Sequence, residues 1–98
     1  MMRSIVVMAL VLGSVLPAIG ASDDAWEQFR ADVETTCLEA AVPMFETPAI
    51  RVDPFGSESY GLALVTGKAK GAKTEIASIC VYDKKTKAAE IGGELPAL

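Results

Sequence analysis

From Asp24 onward, Trp26, Phe29, Val33, Cys37 and Ala40 recur at steps of three and four, while Asp24, Glu27, Gln28, Asp32, Glu34 and Glu39 fall largely elsewhere. That period predicts an amphipathic helix over about 24–41, resting by one stripe on the core. Ser22, Asp23 and Asp24 are N-cap candidates, Asp24 and Glu27 have capping-box spacing, and the early acids suit the positive end of the helix dipole. Pro43 ends the helix, because proline disfavours helical geometry in the residue before it.

Beyond Pro43 the period changes to two. Ala49 to Asp53 places Ile50 and Val52 on one side and reads as a first, edge strand ending at Pro54. Asp53-Pro54-Phe55-Gly56 fits a β-turn. Ser59 to Thr66 is a second strand, with Tyr60, Leu62 and Leu64 on one face and Gly61, Ala63 and Val65 on the other. The run from Gly67 to Lys73, GKAKGAK, predicts a mobile hairpin loop. Thr74 to Asp83, TEIASICVYD, is the clearest strand; Asp83 to Lys87 is a polar turn, and Ala88 to Ile91 a short fourth strand. Gly92-Gly93 closes regular structure and leaves Glu94 to Leu98 as a tail.

These elements add up to an α+β domain, one N-terminal helix on a three- to four-stranded antiparallel meander. The two cysteines, Cys37 and Cys80, read as a disulfide between the helix stripe and the third strand. Parity then poses a question. If Cys80 faces the helix, so do Ile76, Ser78 and Tyr82, whereas Ala77, Ile79 and Val81 point the other way and are just as apolar. Apolar residues on both faces imply cover on both. Either residues 43–57 fold over with Met44, Phe45 and Phe55, or the face meets a protein partner or a second copy as a homodimer.

The N-terminus changes where the domain is placed. Arg3, an apolar run from Ile5 to Leu16, and small residues Ala18 and Gly20 follow the plan of a secretory signal peptide over residues 1–20, cut before Ala21 or Ser22. No cysteine follows the cut, which speaks against a lipid anchor, and no stable membrane anchor is expected after cleavage. The remaining 78 residues, 21–98, make one small domain whose core needs reinforcement, and an exported bacterial chain meets the oxidising periplasm or exterior, where a disulfide forms.

Of the 9 Lys and Arg, Arg3 leaves with the leader; 8 bases against 13 acids give the exported chain a net charge of −5. Acids dominate residues 22–58 and lysines residues 59–98, with no concentrated basic face of the kind nucleic acid requires.

The chain has no histidine, which removes Ser-His-Asp and Cys-His chemistry and the usual zinc sites; no metal and no cofactor is expected. The carboxylates Asp23 with Asp24, and Asp53 with Glu58, could serve a small carboxylate-dependent hydrolase only in a cleft that separates their pKa values. Helix-cap and turn roles explain them without catalysis. A calcium site at Asp53 and Glu58 fits no EF-hand order, and Ser57 or Ser59 lacks a neighbouring base beyond the lysine loop.

Candidate binding residues are therefore Phe55 and Tyr60 around the turn and Ala77, Ile79 and Val81 on the second sheet face. Lys68, Lys70 and Lys73 form a candidate anion contact, although GKAKGAK lacks the spacing of a phosphate loop. The expectation is a small exported binding or interaction protein without catalytic activity; a carboxylate hydrolase and a structural component of the cell envelope are the alternatives.

Overall fold

A computed structural model describes residues 22–96, so the expected leader lies outside the described residues. The helix, α1, runs Asp23–Ala41. Ser22 is its N-cap and its Oγ accepts from the Ala25 N–H at 3.0 Å, so the capping falls two residues before the expected Asp24 box. Asp23 and Asp24 instead sit in the first turn, beside the positive end of the dipole. The buried stripe is Val33, Cys37 and Ala41, with Phe29 packed partly against it. Ala41 takes the place expected of Ala40, because four residues from Cys37 completes just over one helical turn.

The helix does not simply stop at Pro43. Met44 and Phe45 both donate backbone N–H groups to the Ala41 carbonyl, at 2.9 and 3.2 Å, which turns the chain back and drops the Phe45 ring into the core. Phe45 is 1% exposed.

The strands are β1 Ala49–Val52, β2 Tyr60–Lys68, β3 Glu75–Asp83, β4 Ala89–Ile91 and β5 Leu95–Pro96. They form one antiparallel sheet in the order β1-β2-β3-β4, and β5 pairs with β3 further along the same edge as β4. The α+β fold and its meander are thus present as expected. Two segments differ from the sequence reading, both through main-chain pairing. The expected tail returns to the sheet: the Gly92 N–H donates to the Ile79 carbonyl at 2.8 Å, and the buried Ser78 donates its hydroxyl to the Gly93 carbonyl at 3.0 Å. The glycine pair therefore interrupts one edge strand rather than ending the sheet.

The expected hairpin loop at 67–73 is likewise fastened. β2 continues through Lys68; the Glu46 N–H donates to the Lys68 carbonyl at 3.0 Å, and the Lys70 N–H donates to the Met44 carbonyl at 2.8 Å. The segment after the helix thus acts as a short clasp on this end of the sheet.

Register decides the faces. Ala63 lies opposite Cys80, Val65 opposite Ser78, and Gly61 opposite Tyr82, so these residues share the helix side with Ile50 and Val52 of β1 and Ala89 and Ile91 of β4. Gly61 permits the helix to approach: a Cβ there would come within 2.5 Å of a Val33 methyl and 3.1 Å of the Phe29 ring. The Cys37–Cys80 disulfide crosses the middle of this layer, with Cα atoms 6.0 Å apart and both cysteines fully buried. It links the centre of the helix stripe to a central strand.

Candidate interaction surfaces

The connection that could have covered the second sheet face lies on the helix side instead. Phe45 is buried in the helix-side core and Met44 packs against it. Phe55 meets Trp26 of α1 edge-on at 5.0 Å. The opposite face is left uncovered by the described residues.

That face is built by register from Leu62 opposite Val81 and Leu64 opposite Ile79, at the centre of β2 and β3. Ile79 is 52% exposed, and Leu62, Leu64 and Val81 are half-buried beside it. Ala77 has the expected direction but is buried between its partners Thr66 and Leu95, so it floors the face rather than presenting itself. Tyr60 at one end and Leu95 at the other extend the apolar strip, at 43% and 44% exposed. Arg51 of β1, level with Leu64, and Glu90 of β4, level with Val81, stand on its two opposite edges.

The turn after β1 holds its shape through side-chain caps. The Asp53 carboxylate accepts from the Phe55 and Gly56 N–H groups at 3.1 and 2.9 Å. Those two donors, Gly56 first, hold the Asp53 carboxyl below the usual carboxylate range. Gly56 has φ of +70°, and a Cβ there would run into the Tyr60 carbonyl, so only glycine serves.

Lys84, which reads in sequence as part of a solvated turn, pins this region. Its ammonium donates to the Ser57 and Phe55 carbonyls at 2.6 and 3.1 Å, with the rings of Phe29 and Trp26 at 5.0 and 5.4 Å. Arg30 adds a bond to the Pro54 carbonyl at 3.1 Å and lies 5.9 Å from the Phe55 ring centroid. Phe55, 55% exposed, and Tyr60, 43% exposed, therefore lie toward opposite faces of the sheet. Phe55 folds back against the helix, while Tyr60 follows the parity of Leu62 onto the uncovered face.

The remaining charged candidates are placed as follows. Lys68, Lys70 and Lys73 are all exposed at the clasped end, where the Glu46 carboxylate accepts from the Gly71 N–H at 3.1 Å. That carboxylate brings negative charge into the lysine loop. Asp53 and Glu58 do not meet in a cleft; Glu58 instead lines a shallow groove of about 450 Å³ with Asp83 and Lys85. Asp83 caps its own turn, accepting from Lys85 and Thr86 N–H groups at 2.8 and 3.0 Å, and the Thr86 and Lys85 donors hold its carboxyl below the usual range.

A second groove, of about 350 Å³, runs between α1 and the β3–β4 turn, lined by Trp26, Gln28, Asp32, Tyr82 and Lys84 among others. Burial, with the Asp32 charge added, pushes the Tyr82 hydroxyl above its ordinary value and keeps it neutral. Gln28 and Asp32 already bond to one another at 2.8 Å. Among the described residues no three Cys, Asp or Glu side chains converge as metal ligands, and no helix is long and apolar enough to cross a membrane. Comparison with protein-family models, with curated proteins and with solved structures returned no match.

Proposed function

We propose that this chain is a small exported binding module that works through its uncovered sheet face rather than by catalysis. One observation carries the reading: Leu62, Leu64, Ile79 and Val81 form an apolar centre on a sheet whose other face is already filled by the helix, Phe45 and the disulfide. A solvated antiparallel face should alternate to polar side chains, and this one does so only at its margins. Export to the periplasm or exterior is supported by the pattern of residues 1–20 and by the disulfide, which persists in an oxidising compartment.

The test is parallel recovery of chemically cross-linked complexes from the cell envelope with the wild-type chain and with Ile79→Asp. Because Ile79 is exposed, the substitution leaves the helix-side core intact. The reading expects a cross-linked species, whether a second copy or another protein, that the wild type forms and the variant loses. Equal recovery with both chains, or none with either, overturns it. N-terminal mass analysis of the recovered chain tests export separately, with a start at Ala21 or Ser22 expected.

A further inference from the structure

We infer that the occupant of the uncovered face is the same face of a second copy, related by a two-fold axis that runs along the strands. This rests on the binding reading above and names its partner.

The edges are poor places for association. β1 has only four residues and lies between Pro48 and Pro54, while Pro96 sits in β5, so both sides of the sheet are blunted against strand addition. The face is the surface that remains. The five strands total 27 residues (4, 9, 9, 3 and 2), so at about 3.4 Å per residue and 4.8 Å between strands the face presents about 440 Å² per copy, and two copies bury roughly 900 Å², the size of a weak, reversible pairing. Its arrangement is that of an interface, with Leu62, Leu64, Ile79 and Val81 at the centre and charges at the rim.

The charges select a second copy and its orientation. Arg51 is on β1 and Glu90 on β4, at opposite edges of the same face, and both are exposed. Rotation about an axis parallel to the strands sets β1 of one copy over β4 of the other, so Arg51 meets Glu90 twice. Rotation about an axis across the strands would set Arg51 over Arg51. The face is thus electrostatically self-complementary in only one of its two-fold packings. Arg51 and Glu90 are offset by one side-chain step along the strands, about 7 Å, which an arginine spans. Aligned sheet packing, with a crossing near 30°, is the ordinary geometry for two such layers.

Sedimentation of chain 21–98 with its disulfide intact, over a concentration series, is the experiment. The wild type is expected to pass from monomer to dimer as its concentration rises, and Ile79→Asp to weaken association by about tenfold or more while keeping the far-ultraviolet circular dichroism of the wild type. Arg51→Glu and Glu90→Arg are each expected to weaken self-association, because each places like charges in contact. Mixed in equal amounts they should associate again, since the mixed dimer regains both opposite-charge contacts. A wild type that is monomeric throughout overturns the inference, as does a mixture no tighter than either variant alone. A monomer that still gains an Ile79-dependent partner in the cell envelope defeats the second copy and leaves the proposed function standing; a monomer with no such partner defeats both.

Discussion

Reducing the Cys37–Cys80 bond is expected to bring the domain close to unfolding under native conditions. The cysteines are 43 positions apart, so the bond closes a loop of 44 residues. In the chain-entropy description a loop of that length stabilises the folded state by about 4 kcal/mol. A domain of some 75 ordered residues has a total stability of about 4–11 kcal/mol, so the bond supplies between a third of it and nearly all. With a urea slope of about 1 kcal/mol/M for so small a chain, the midpoint should fall by about 3–4 M on reduction. Trp26 is a suitable reporter, because its ring meets Phe55, outside the helix, at 5.0 Å and so reads helix docking. Urea titrations of the oxidised chain, the dithiothreitol-reduced chain and Cys37→Ala/Cys80→Ala should rank in that order, the last also losing the packing of two fully buried sulfur atoms. Protein concentration must be held constant, since self-association would add to apparent stability. A reduced midpoint within about 0.5 M of the oxidised one would refute the reasoning and assign the stability to the helix–sheet contact alone.

Two further outcomes follow from the helix contact and the turns. Gly61→Ala should destabilise by about 2 kcal/mol in urea, since the new methyl meets Val33, which is fully buried and cannot retreat, whereas Gly93→Ala, with nothing near its Cβ position, should be almost neutral; equal effects would show that the helix does not approach β2 at Gly61. Asp53 and Asp83 both have folded pKa values below their unfolded ones, so their contribution is complete above the unfolded carboxylate range near pH 4 and is lost as pH falls through the lower folded values. Urea midpoints between about pH 5 and pH 2 should therefore fall more steeply for the wild type than for Asp53→Asn/Asp83→Asn, and parallel curves would show that these carboxylates do not cap the turns.

The linear chain determines its own elements where local chemistry is decisive. The period of Trp26, Phe29, Val33 and Cys37 specifies the helix, and alternation in TEIASICVYD specifies β3. Two cysteines at those parities suffice to place the disulfide. Parity likewise separates Ile79 and Val81 from Cys80, which is why the apolar second face is legible before any tertiary structure.

What covers each face is a matter of long-range packing, and there only the tertiary structure decides. Residues 43–57 could pass to either side of the sheet; the turn at Ala41 that buries Phe45 and the contact of Phe55 with Trp26 send them to the helix side. Lys84 looks like any solvated turn lysine until the fold brings the Phe55 and Ser57 carbonyls, 29 and 27 residues away in sequence, to its ammonium. Leu95 reads as tail because its pairing with Ala77 resumes past a glycine break, and Arg51 and Glu90 become opposite edges of one surface only once strand order is known. Local periodicity tells which way each side chain points, but whether anything lies there depends on contacts between residues far apart in the chain.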